Sequence, residues 1–281
     1  GTANDAFCDA RVLRILRRRS LASLREAVEP VSATDFARFL PSWQGVGELR
    51  GTDGVLRAAE QLAGVPVPAS ALESLILPAR VRDYRPGMLD ELTTAGELLW
   101  QGHGSLAGTD GWVSLHPAEL APLTLAEPEP VTGDLATQVL AAIGAGGYFF
   151  RALADQLRVD DAPLSVALWD LVWAGRLGND TLAPLRVLIQ GRPAHRSKPV
   201  APARGRYGRG LPRATMPRRS GPPETVGRWF ALPSAETDAT TRAVARAELL
   251  LDRYGVVTRG SVGAEEVPGG FAGVYRVLAA A

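Results

Sequence analysis

The apolar positions of this chain repeat. Leu-x-x-Leu-x-x-Ala-Gly-x-Leu occurs as Leu89, Leu92, Ala95, Gly96 and Leu98, and again as Leu168, Leu171, Ala174, Gly175 and Leu177. A third copy begins at Val274, Val277 and Ala280, where the sequence stops. Apolar residues three apart form one stripe on a helix, because side chains at i and i+3 share a face. Glycine just past the stripe is the usual helix stop, since it enters the left-handed region without steric cost. Each copy therefore predicts a buried helix, a glycine cap and an exit strand.

Periodicity places further elements around the copies. Residues 55–62, 69–77 and 88–95 read as three helices, the second opened by Pro68 and the third with Pro86 in its first turn. Leu98 and Trp100, then Trp112, Val113 and Leu115, read as two strands around a turn that holds the hairpin-type dipeptide Asp110-Gly111. Around the second copy, residues 134–143, 148–157 and 164–174 read as helices. Its wing is predicted to be minimal, with Gly178, Asn179 and Asp180 turning straight into residues 182–189. Three short helices and a β-hairpin is the order of a winged-helix module. Residues 226–232 then predict a strand, 240–254 a long helix, 260–263 a turn and 271–281 the third helix of another module. The N-terminal stretch 7–28 carries Val12, Leu13, Leu16, Leu21, Leu24 and Val28 among many arginines, an amphipathic basic helix. Residues 32–40 follow as a short helix capped by Ser32 or Thr34. The expected class is mainly α with small β-hairpins (α+β), built as tandem winged-helix modules. Its expected parts are 1–49 (basic helical segment), 50–117 (first module), 132–190 (second module), 192–223 (Arg/Pro/Gly-rich linker) and 225–281 (a strand plus an incomplete third module). Residues 118–131 read as a Pro-rich linker.

Composition changes this picture in one place. The 281 residues are 46% apolar, ordinary for a globular chain, and a net charge of +1 supplies no global field. Residues 1–191 are net acidic, whereas 192–220 carry nine positive charges and no negative one. Lys198 is the only lysine, and the abundance of Ala, Gly and Arg fits a GC-rich coding sequence. Cys8 is the only cysteine, so no internal disulfide can form and a cytoplasmic location is expected. No apolar run reaches the ~18 residues of a membrane span, and no membrane partner is expected. The start at Gly1 and the stop in mid-pattern predict a piece of a longer protein.

The stretch from Leu75 to Leu125, with LPARVRDYRPGMLDELTTAGELLWQGHGSL and DGWVSLHPAELAPLTL, resembles the C-terminal half of the Lhr family. These are the large helicase-related proteins of bacterial superfamily 2. SVALWDLVWAGRLGNDTLAPLR, GRWFALP and RAELLLDRYGVVTRG extend the resemblance over nearly the whole chain. The resemblance implies an N-terminal ATP-dependent core that unwinds nucleic acid. It also implies a C-terminal region of winged-helix modules plus a β-barrel, similar to AlkZ-type DNA glycosylases, so the start of a barrel segment is expected here. DNA and the helicase core of the same polypeptide are the implied partners, with ATP and Mg held in that core. No GxxxxGK[ST] loop occurs, because Lys198 lies in Arg-Ser-Lys-Pro, and no DEAH-type motif occurs either. No cofactor is therefore expected in this chain, and whether it has enzymatic activity stays open.

Three classes of function remain: a nucleic-acid-binding and assembly segment of a repair helicase, part of a glycosylase unit, or a homo-oligomeric scaffold. In helix-turn-helix proteins a recognition helix enters the major groove with basic or amide side chains. Here the third helices carry Asp90 and Glu91, and Asp170 with Trp169, Val172 and Trp173, which predicts packing against neighbouring modules. The nucleic-acid candidates are Arg204, Arg206, Arg209, Arg213, Arg218 and Arg219, helped by Arg17, Arg18 and Arg19, with Tyr207 able to stack on a base. The alternatives are a solvated linker and a packed N-terminal helix with a solvated face. His103, His116 and His195 are scattered, so no metal site is expected. Gly102-His103-Gly104 reads as a flexible wing tip, and Trp100, Trp112 and Trp229 as core aromatics. A glycosylase needs a carboxylate or amide beside a flipped base. Asp110, Glu265 and Glu266 qualify only in principle, and no catalytic residue is assigned.

Overall fold

The computed structural model describes residues 31–190, 221–236 and 238–280. The chain divides into a short unit, Gly1–Pro41, and a larger one, Ser42–Ala281. Helix α1 (Ala33–Trp43) begins at Ser32, whose hydroxyl accepts from the Asp35 N–H at 3.1 Å and donates to the Asp35 carboxylate at 2.7 Å.

In the larger unit the first module opens with α2 (Gly51–Gln61), which buries Val55, Ala58 and Ala59. Strand β1 (Val67–Pro68) leads into a helical run of α3 (Ala69–Ala71), a π turn (Leu72–Ile76) and α4 (Leu77–Arg80). Helix α5 (Pro86–Ala95) follows, then β2 (Leu98–Ser105) and β3 (Gly111–Pro117). The strands form one antiparallel sheet in the order β1-β3-β2. Pro86 sits in the first turn of α5, where no N–H partner is needed, and Gly96 ends the helix at φ +77°.

The stretch 118–131 contains a short helix α6 (Ala121–Thr124) whose Ala121 is buried together with Leu125. The second module repeats the plan of the first: α7 (Asp134–Ile143), β4 (Gly147–Phe149), α8 (Phe150–Leu157), α9 (Asp161–Trp173) and β5 (Leu177–Asn179). Helix α10 (Ala183–Gln190) comes next, then a 3-10 turn (Pro223–Thr225) and strand β6 (Arg228–Ala231). The second sheet has the order β4-β6-β5, also antiparallel, which is the order of the first. Leu89, Leu92, Leu168 and Leu171 are all buried on the two equivalent third helices, and Leu98 and Leu177 are buried just beyond them.

Two expectations change here. Residues 228–231 do not open the last segment. They pair with β4 and β5 at Phe149↔Arg228, Tyr148↔Trp229 and Asn179↔Trp229, and so close the second module. The cause is Trp229, fully buried, edge-on to Trp169 at 5.8 Å, with its indole N–H donated to the Thr225 carbonyl. Residues 182–189, expected to follow directly from a minimal wing, form a helix, because Asp90 accepts from the Leu182 N–H at 3.0 Å and from the Thr181 hydroxyl at 2.6 Å where α10 starts. The second wing is therefore long, running from Asn179 to Arg228. Among the described residues there is no closed barrel.

The remaining helices are α11 (Ala239–Tyr254), α12 (Arg259–Ala264) and α13 (Gly270–Ala280). The expected turn near 260–263 is helical because Thr258 and Ser261 form a capping box. Ala247, Leu250, Val262, Val267 and Val274 make a small core of their own, whereas the first two modules share one continuous core. Among the described residues no helix is long and apolar enough to cross a membrane.

Candidate nucleic-acid interface

The third helix of each module is the first place to seek a nucleic-acid contact, and both are occupied by protein. Helix α9 lies against β2 of the first module. A Cβ on Gly102 would stand 2.5 Å from the Val172 carbonyl oxygen, and one on Gly111 would stand 2.5 Å from the Trp173 ring. These glycines are there because the helix touches the wing backbone, so Gly102 is a packing residue and not a flexible tip. Trp100 donates its indole N–H to the Asn179 carbonyl at 2.9 Å, and the Gln101 amide bridges the Gly175 and Ala126 carbonyls at 3.1 Å each. Trp100 and Trp229 are core aromatics, but Trp112 is 37% exposed. Leu164, Leu168, Trp169, Leu171 and Val172 of α9 are thus covered within one chain, whereas Val166 on the same helix is exposed.

Helix α5 is engaged through its acids. Asp90 binds the Arg186 guanidinium at 2.6 Å, and Arg186 reaches the Glu73 carboxylate at 2.6 and 3.0 Å. Burial pushes the Asp90 carboxyl up, yet Arg186, Thr181 and the Leu182 N–H together hold it below its ordinary value. Burial likewise opposes the Arg186 charge, and Glu73 and Asp90 more than restore it. Asp90 is therefore a half-buried structural ligand of α10 rather than a free surface acid. Glu91 accepts from the Thr52 hydroxyl at 3.1 Å, and Thr94 donates to the Asp180 carbonyl at 3.0 Å.

A third junction is made by Arg253. Buried to 6% exposure, it donates to the Gln61 and Ala63 carbonyls at 2.6 and 2.9 Å and pairs with Glu265. It joins the C-terminal end of α2, where carbonyls lack helical partners, to the last helices. Glu265 is thereby tied up in structure. Asp110 is tied up too, accepting from the Ser70 hydroxyl at 2.6 Å and N–H at 3.1 Å. The open groove of about 620 Å³ between α2 and α11 is lined by Glu60, Glu97, Glu119, Glu248 and Asp252 against the single cation Arg57, an acidic excess that repels phosphate.

His103 and His116, scattered in sequence, meet through Ser114. His103 Nε2 is 2.5 Å from the Ser114 oxygen, which is 2.6 Å from His116 Nε2, and His116 Nδ1 is 2.8 Å from the Thr124 oxygen. Burial lowers His103 to about 4; burial, then the neighbouring His103, lowers His116 to about 3. The spacing of Ser114 and His116, two apart on one strand face, was the signal available for half of this cluster.

The nine proposed arginines, Arg17, Arg18, Arg19, Arg204, Arg206, Arg209, Arg213, Arg218 and Arg219, lie outside the described residues, as does Tyr207. The two ends of the basic stretch are nonetheless placed. It leaves α10 and re-enters at the 3-10 turn, two elements packed on each other, and β5 pairs with β6 beneath them. The basic stretch is thus an insertion within the wing of the second module and not a linker between modules.

Fold and junctions together define a tandem winged-helix protein whose modules are fused through their third helices and wings. Comparison with known proteins agrees. Family models described as "Large helicase-related protein, winged-helix domain" match residues 31–118 and 236–281. The chain is 51% identical, over 98% of its length, to a Mycolicibacterium smegmatis protein named Lhr helicase/probable uracil glycosylase. It is 40% identical, over 95% of its length, to the Escherichia coli Lhr helicase/uracil glycosylase. It spans 19% of the length of each relative. The chain belongs to the Lhr family and corresponds to its C-terminal winged-helix region.

Proposed function

We propose that this chain is the nucleic-acid-engaging and assembly segment of the C-terminal region of an Lhr-type ATP-dependent DNA helicase acting in DNA repair. ATP and Mg belong, in this reading, to the helicase core of the same polypeptide. The observation that carries the proposal is the position of the basic stretch. Nine cations sit within one wing, while both third helices are turned to protein contacts. A basic stretch whose two ends are fixed on one module can follow phosphates without reading bases, so binding should be independent of sequence and driven by counterion release. Replacing Arg204, Arg206, Arg209 and Arg213 by Ala should flatten the plot of log affinity against log salt by up to about 3 on single strands. An unchanged slope would move the contact elsewhere.

The relatives' names favour a second reading, in which the chain is part of a glycosylase unit. Asp110 and Glu265 are held in structural contacts, so in this reading those two carboxylates serve as scaffolding. Release of uracil from a labelled strand by this chain alone would require a catalytic group among its residues.

A further inference from the structure

We infer that the outer face of the second module's sheet is a stacking platform for single-stranded nucleic acid, an inference that rests on the nucleic-acid reading of the wing. The alternation of β4 and β6 sends Tyr148 and Trp229 inward and Phe149, Arg228 and Phe230 outward. Phe149 is 59% exposed on an edge strand. Its cross-strand partner is Arg228, whose guanidinium lies 5.8 Å from the centre of the Phe149 ring. Phe230 occupies the diagonal position two residues along β6. Its two cross-strand neighbours are Gly147 and Gly178, and other side chains lie over both: the Arg228 stem stands 3.5 Å from where a Cβ on Gly147 would be, and Leu232 stands 3.0 Å from one on Gly178. The Phe230 ring leans over Gly178, where a Cβ would meet it at 3.1 Å.

A single exposed phenylalanine is ordinary surface. Two rings share diagonal positions on one sheet face, Phe149 exposed with a cation opposite it and Phe230 half-buried beside it, so the face offers a flat ligand its aromatic surface at Phe149. Asp180 holds the Arg228 side chain at 3.4 Å but leaves it half exposed, so its guanidinium can still meet a phosphate while the ring beneath takes a base. The face also belongs to β6, the first strand after the basic stretch in the sequence. Aromatic stacking tolerates any base, which matches a wing that contacts phosphates.

The test uses the 281-residue chain, a fluorescein-labelled oligothymidine strand and an abasic strand of equal length. Phe149→Ala should weaken binding to oligothymidine about tenfold, leave the abasic strand unaffected and leave the salt slope unchanged. Phe149→Tyr, which keeps the ring, should bind as the parent does. Both variants should match the parent's thermal midpoint, because the side chain is exposed. Unaltered oligothymidine affinity in Phe149→Ala, or an equal loss on the abasic strand, overturns the platform while the reading of the wing stands. A parent chain that binds neither strand overturns both.

Discussion

Thr124 commits its only hydroxyl proton to the Leu120 carbonyl, and this fixes a chain of protons through the first sheet. Its oxygen must then accept from Nδ1–H of His116, so Nε2 of His116 accepts from Ser114, and Ser114 accepts from Nε2–H of His103. Both imidazoles are neutral in this arrangement, and a proton on either Nε2 of His116 or Nδ1 of His103 would add a buried charge. Their folded pKa values, about 3 and about 4, lie below the unfolded value near 6.5. The unfolded chain therefore binds more protons below neutrality. The stabilisation is complete above about pH 6.5 and is lost as pH falls toward 4 and 3. Between pH 7 and 5 each imidazole should cost about 2 kcal/mol of folding free energy. Denaturant unfolding at the two pH values reads this loss, and the imidazole carbon-bound proton shifts should stay flat from pH 8 to 5. A titration midpoint near 6.5 for His116 would contradict the buried, neutral assignment. Only the Ser114–His116 half of this was legible, from their spacing on one strand; the rest depends on the register Gly102↔Val113 and on a threonine from α6.

The two third helices show how far a repeat can be read without coordinates. Leu89, Leu92, Leu168 and Leu171 were legible because spacing alone puts them on one face, and Gly96 and Gly175 because both stop a helix at positive φ. Leu92→Ala and Leu171→Ala should each destabilise the chain by about 2–5 kcal/mol, since both residues are enclosed and truncation leaves a cavity. Thermal or denaturant unfolding measures this, and a cost below about 0.5 kcal/mol at either site would mean that the helix is not a core element. Strand β6 was legible as a strand but not as a member of the second module. Pairing rules read hairpins across two to five residues, whereas Asn179 and Trp229 meet across the whole wing. The structure of α10 was hidden for a similar reason. Its start is capped by Asp90, a residue of the preceding module that no local pattern connects to it.

For the whole molecule, the consequence is a division of labour between faces. The shared core and the Arg186, Trp100 and Gln101 contacts lock the first two modules together, and Arg253 attaches the last helices to the first module. The one stretch of the sequence with nine cations and no acid, residues 192–220, falls between α10 and the 3-10 turn. Its composition was legible from sequence; its place in a wing was not, because the strand that closes the wing lies beyond it. The most direct test of the account is to replace residues 191–220 by a short glycine-rich turn and measure both unfolding and single-strand affinity. The account predicts an unchanged cooperative unfolding transition, because β5 and β6 still pair and Trp229 stays buried, together with loss of most of the salt-dependent binding. A variant that loses the second module's fold, or one that binds DNA with the parent's affinity and salt slope, would contradict it.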